Sequence, residues 1–136
     1  MTNLDTDTIV AIATANGIGS IAIIRISGDD SLQIAKHLTK RNNFNPRYAY
    51  LSEIYNQNNE LIDESICIYF KAPYSFTGEN IIEIQCHGGF IVANSILKAS
   101  PDAGARLARA GEFSKRAFFN GKIDLSEAQA IAQLIE

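Results

Sequence analysis

Glu83 and Arg25 are the residues best placed by type and spacing to do chemistry, with Lys122 a third candidate. Glu83 lies in an alternating segment that follows the turn-like Thr77-Gly78 and ends on Gly88-Gly89. There Ile82, Ile84 and Cys86 point one way and Ile81, Glu83 and Gln85 the other. A carboxylate and an amide on one strand face can accept from a ligand rich in hydrogen-bond donors, and the same pattern also describes a solvated strand residue. Arg25 sits inside the apolar run 21–26, so it must reach the surface, meet a carboxylate or bind a ligand. Lys122 follows the helix stop Asn120-Gly121, either as a solvated lysine or as a cation aimed into a site. Cys86-His87 invites a thiolate reading, but neighbouring strand residues face opposite sides and cannot share a proton. His37 falls in the last turn of a helix, where a cation is mildly favoured, and reads as structural. Gly17-Ile18-Gly19-Ser20-Ile21-Ala22 has the form of a dinucleotide fingerprint. That fingerprint needs a helix to open at the glycines, and here a β-branched strand opens instead, so the nucleotide reading fails. No G-x-x-x-x-G-K-[ST] phosphate loop occurs anywhere in the chain.

The elements that must position these residues follow from periodicity. Residues 8–13 and 21–26 read as strands joined by the glycine loop 14–20. A helix follows the turn Ser27-Gly28-Asp29-Asp30, with Asp29-Asp30 suited to its positive end and Leu32, Ile34, Ala35 and Leu38 as its apolar face. Residues 48–55 and 61–70 read as a hairpin around 57–60. The loop 71–78 carries two aromatics, Tyr74 and Phe76, which line a pocket mouth or cap the core. A helix over 90–100 then breaks at Pro101–Gly104, followed by a short strand at 106–108 and a helix over 112–119. Asp124 and Glu127 have capping-box spacing ahead of a last apolar helical face. Together these predict an α+β fold with a mixed or antiparallel sheet of about five to six strands and two to three helices.

The bulk properties exclude several function classes. The 136 residues fit one domain, and 46% hydrophobic with 20% charged content is ordinary for a globular protein. A net charge of −3 gives no global basic field, so most phosphate contacts to any RNA should come from another chain or domain. No run of about 18 apolar residues marks a membrane helix, and the polar, acidic N-terminus is unlike a targeting peptide. Cys67 and Cys86 give no disulfide framework and no zinc spacing, which fits a reducing cytoplasm. The last helical pattern runs to Glu136 without a stop signal, as expected of a fragment.

Several blocks then occur in a telling order: residues 7–14, Ile24-Arg25-Ile26-Ser27-Gly28, Ser75-Phe76-Thr77-Gly78-Glu79, Ile82-Glu83-Ile84, His87-Gly88-Gly89, and the long block 111–125, Gly-Glu-Phe-Ser-Lys-Arg-Ala-Phe-Phe-Asn-Gly-Lys-Ile-Asp-Leu. Together they resemble the N-terminal domain of the tRNA-modification GTPase family MnmE/TrmE. The resemblance covers nearly the whole chain. It implies a fold similar to folate-binding aminomethyltransferase domains. It also implies binding of a tetrahydrofolate one-carbon donor (5-formyltetrahydrofolate or methylenetetrahydrofolate) and homodimerisation. Carried over by motif, the folate contacts fall on Arg25, Glu83 and Lys122. The full-length family modifies C5 of the wobble uridine of tRNA with a flavoprotein partner, MnmG/GidA, in the cytoplasm and without a membrane.

The resemblance divides the chain into 1–121, a folate-binding and dimerisation domain, and 122–136, the start of a central helical domain. GTP, Mg and K would belong to a GTPase domain outside this chain, so the fragment alone is not expected to be catalytic. One block departs from the family: Ala15-Asn16-Gly17-Ile18-Gly19-Ser20 stands where a Pro-Pro-Gly-Arg-Gly-Gly stretch is usual. The alternative is therefore a structural self-association module that has lost folate binding.

Overall fold

A computed structural model describes residues 6–13 and 21–135, so the glycine loop Ala15–Ser20 lies outside the described residues. The elements in chain order are β1 (Ile9–Ile12), β2 (Ile21–Ser27), α1 (Ser31–Thr39), β3 (Ala49–Tyr55), β4 (Leu61–Phe70), β5 (Ile81–His87), α2 (Gly89–Ala103), β6 (Arg106–Leu107), α3 (Glu112–Phe119) and α4 (Leu125–Ile135). The fold is α+β. Six strands form one sheet in the order β3-β4-β5-β2-β1-β6. The β1–β6 pair is parallel and the other neighbours are antiparallel, making the sheet mixed.

Register explains how one face becomes the core. Ile24 pairs with Ile84, Ile26 with Ile82 and Ala22 with Cys86, so the central strands put β-branched side chains on a common side. Ile34, Ala35 and Leu38 of α1 and Ala93 and Ile96 of α2 pack onto that side, all of them buried. The opposite face carries no packed helix among the described residues; α3 packs against α4.

One local outcome refines the pattern read in the sequence, and two differ from it. Helix α1 begins at Ser31 with no acid in its first turn, and Asp30 at the N-cap makes no side-chain cap bond. The Asp30 N–H instead donates to Thr8 Oγ1 at 3.0 Å, so a distant residue does the capping. Helix α2 continues through Pro101 to Ala103. Its last turn closes because Gly104 N–H and Ala105 N–H donate to the carbonyls of Pro101 and Ser100, both at 3.0 Å. Ile81 shares the side of Glu83 yet is buried, flanked by Ser27 and Phe70 on the neighbouring strands.

Candidate functional site

The uncovered face of the sheet carries a row of cross-strand neighbours: Ala49, Ile68, Glu83, Arg25 and Ala11, one each from β3, β4, β5, β2 and β1. Arg25 and Glu83 are therefore direct partners by register. Arg25 Nε donates to Glu83 Oε2 at 3.3 Å, with the two side chains 33% and 13% exposed. Gln85, two residues along the same face, donates from Nε2 to Glu83 Oε1 at 3.2 Å. The Phe76 ring lies 5.8 Å from the Arg25 guanidinium carbon, within cation–π range.

Each carboxylate oxygen of Glu83 thus has one partner, which leaves lone pairs for further donors. Among the described residues, only the Nε of Arg25 is engaged in a hydrogen bond. The pair can accept donors at one end and offer a planar guanidinium fork at the other.

Lys122 meets the 71–80 loop. Its backbone N–H donates to Ala117 O at 2.8 Å, and its Nζ donates to Pro73 O at 3.0 Å in the 71–80 loop. Asn120 Nδ2 donates to Thr77 O at 2.7 Å in the same loop. Gly78 makes this approach possible: with φ +83, a Cβ there would stand 2.9 Å from Asn120 Cβ and 3.4 Å from Lys122 Cγ. So Arg25 and Glu83 touch each other, and Lys122 touches the loop that presents Phe76 to Arg25. It bonds to neither of them.

That loop is held from below by a polar cluster that sequence reasoning missed. Buried Ser27 and Thr77 share a hydrogen bond of 2.7 Å, and Ser27 Oγ donates to Glu79 Oε1 at 2.8 Å. Arg116 Nη1 in α3 donates to the same Oε1 at 3.1 Å. Nothing in the local sequence around Glu79 or Arg116 announces the pairing, because it joins segments 37 residues apart.

Other candidate groups take no part. Cys86 is buried with its Sγ donating to Ala22 O at 3.4 Å, while the exposed His87 turns to Asp63 and Glu64 of β4. Burial pushes the Cys67 thiol up to about 12, far from a reactive thiolate. Among the described residues no three His, Cys, Asp or Glu side chains are grouped to hold a metal. A cleft of about 480 Å³ lined by Asp7, Thr8, Asp29, Asp30 and Arg106 contains none of Arg25, Glu83 and Lys122.

The fold and site define an α+β domain with a paired, partly exposed ion couple on an open sheet face, roofed at one edge by a loop. The family model described as "GTP-binding protein TrmE N-terminus" matches residues 8–122, and the chain belongs to that family. Proteins named tRNA modification GTPase MnmE resemble it along nearly its whole length. That of Sulfurimonas denitrificans is 74% identical over 130 residues, covering 96% of this chain and 29% of the relative. That of Aliarcobacter butzleri is 61% identical over 132 residues, covering 97% and 30%. The Helicobacter pylori (strain HPAG1) protein is 58% identical, covering 95% and 28%. The chain therefore spans under a third of the length of these relatives.

Proposed function

We propose that this chain binds a tetrahydrofolate one-carbon donor and dimerises, as the N-terminal part of a GTPase that modifies C5 of the tRNA wobble uridine. The observation that carries the reading is the Arg25–Glu83 pair on the uncovered sheet face. A reduced pterin presents a ring N–H and an exocyclic amino group side by side, a donor pair that one carboxylate accepts. Glu83 is the acceptor in this reading, and Gln85 holds the carboxylate in place through Oε1. Arg25 and Lys122 supply positive charge for the ligand's acceptors and its tail carboxylates. The bound donor supplies a one-carbon unit; the protein binds and orients it.

The remaining parts of the proposal concern the longer protein. Residues 1–121 would form the folate-binding and dimerisation unit and 122–136 the beginning of a helical one. GTP hydrolysis, with its Mg and K, belongs to a domain beyond this chain, and tRNA and the flavoprotein MnmG/GidA are partners of the whole, in the cytoplasm. No helix among the described residues is long and apolar enough to cross a membrane.

Calorimetric titration with 5-formyltetrahydrofolate tests the site. Saturable binding is expected for the parent, loss of it in Glu83→Ala, and weaker binding in Arg25→Ala, which removes one ion-pair partner but not the acceptor. A folded Glu83→Ala variant that binds like the parent would sink the assignment. One observation favours a second reading: Arg25 and Glu83 already pair with each other, as structural ion pairs do, and Ile21 and Leu51 on the same face are 55% and 58% exposed. A self-association module without folate binding gives a dimer in light scattering and no heat with the ligand.

A further inference from the structure

Between Asp30 and Glu53 the chain has Lys36, His37, Lys40, Arg41 and Arg47 and no carboxylate, in a protein whose net charge is −3. Among the described residues none of these four Lys and Arg side chains forms an ion pair. Three of them lie instead against aromatic rings: Lys40 Nζ is 4.0 Å from the centre of Tyr55, Arg41 4.5 Å from Tyr50 and Arg47 5.5 Å from Phe70. Tyr48, 64% exposed, and Phe44 flank Tyr50 at ring separations of 6.4 and 5.6 Å. Ser52 holds Arg41 by accepting from its Nε at 3.3 Å.

These contacts wrap the sheet edge, Arg47 against Phe70 of the uncovered face and Arg41 against Tyr50 of the helix-covered one. β3 is the outermost strand, and the β3–β4 ladder extends from Ala49–Ile68, near Phe70, to Tyr55–Leu61. Seven strand residues cover roughly 20 Å, about six nucleotide steps of a stacked strand. Tyr55 donates its hydroxyl to Glu53, the carboxylate nearest this stripe by contact.

We infer that this basic and aromatic stripe along β3 is a docking surface for RNA, with Lys40, Arg41 and Arg47 meeting phosphates and Tyr48 offering a ring on which a base stacks. Cations outside ion pairs beside one exposed ring, Tyr48, and several half-buried ones suit a single-stranded or looped RNA, whose phosphates and unstacked bases are both within reach. A lipid surface would engage the tyrosine as well as the charges, so the spread of cations along a seven-residue strand is what favours a run of phosphates, and vesicles form the competing arm of the test. The inference stands on the stripe; only the choice of a tRNA-type stem–loop as probe rests on the proposed function.

The backbone offers a test that spares the fold. Lys40 and Arg47 have φ of 57° and 65°, in the left-handed region where asparagine is better tolerated than a long side chain. Lys40→Asn with Arg47→Asn thus removes two charges without straining the chain, and its thermal midpoint should match or exceed the parent's. Fluorescence anisotropy with a labelled anticodon stem–loop RNA in about 50 mM salt should show saturable, salt-sensitive binding by the parent. The double variant should bind at least tenfold more weakly, with a salt slope smaller by about two. Tyr48→Ala should weaken binding with the slope unchanged. The exposed pair Lys98→Asn with Lys115→Asn changes the charge equally and should bind like the parent.

The inference fails if the parent shows no saturable RNA binding, if the Lys40/Arg47 variant binds like the parent, or if the Lys98/Lys115 control loses as much. It also fails if phosphatidylserine vesicles bind the parent and RNA does not. Glu83→Ala should leave RNA binding unchanged, so failure of the folate site and failure of this surface register separately.

Discussion

Gly28 shows how much a single residue decides in this fold. It turns the chain from β2 into α1 at φ +138, and a Cβ there would stand 2.6 Å from Thr8 Oγ1 and 2.7 Å from Thr8 Cα. Thr8 is the residue whose Oγ1 caps α1, so it cannot move aside without exposing the Asp30 N–H. Gly28→Ala should therefore cost about 3 kcal/mol, from overpacking and a strained φ together. Urea unfolding checks this, and a loss under about 1 kcal/mol would mean that Thr8 gives way freely. The functional residues were unequally legible at this scale. Alternation alone puts Glu83 on the face away from Ile82 and Ile84, because side chains in a strand have a period of two. Its partner Arg25 is visible as an anomaly in an apolar run, yet their pairing depends on the β2–β5 register, which no local pattern encodes. The bond from Lys122 to Pro73 is a long-range contact of the same kind.

Elements were more legible than their ends. The Leu61–Phe70 strand, the Glu112–Phe119 helix and the strand-to-helix junction at His87-Gly88-Gly89 all follow from periodicity and turn residues. The start of α1 at Ser31 follows from the turn residues 27–30, but the Thr8 partner of Asp30 lies 22 residues away and outside any local window. Helix α2 runs past Pro101 because the Pro101 and Ser100 carbonyls close its last turn locally. The capping box, unlike the Thr8 cap, is wholly local. Asp124 Oδ1 accepts from Glu127 N–H at 2.8 Å while Glu127 Oε1 accepts from Asp124 N–H at 3.2 Å. Asp124→Ala should cost α4 about 1 kcal/mol. Since α4 packs against α3 and not on the core, the expected result is faster amide exchange near the start of α4 with little change in the urea midpoint. A midpoint shift as large as that of Gly28→Ala would place α4 inside the cooperative core.

At the scale of the whole molecule, the hydrophobic layer of α1 and α2 accounts for one side of the sheet, and a chain of charges ties α3 to the rest. Arg106 of β6 donates to Asp7 Oδ2 at 3.3 Å and to Glu112 at 3.0 and 2.7 Å, through Nη1 and Nη2. Arg116 Nη2 stands 3.5 Å from Glu112 Oε2, and its Nη1 reaches Glu79 below the candidate site. Burial by itself pushes the Glu112 carboxyl up. The Arg106 hydrogen bonds, the Arg109 backbone N–H and the charges of Arg106 and Arg116 outweigh it and hold the carboxyl at about 2.

A carboxyl held below its unfolded value of 4.5 adds stability that is complete above that pH and is lost as pH falls towards about 2. For this 7%-exposed side chain the contribution is on the order of 3 kcal/mol. Glu112→Gln should lower stability at pH 7, because Arg106 and Arg116 keep their charges and lose a carboxylate. The gap between parent and variant should then close as pH falls through that window, since a protonated Glu112 carries no more charge than glutamine. Urea midpoints measured from pH 7 down to about 2.5 separate the two possibilities. A gap that closes assigns the docking of α3 to the ion network. A constant gap would mean that shape and hydrogen bonding at Glu112 hold α3 in place, with its charge contributing nothing.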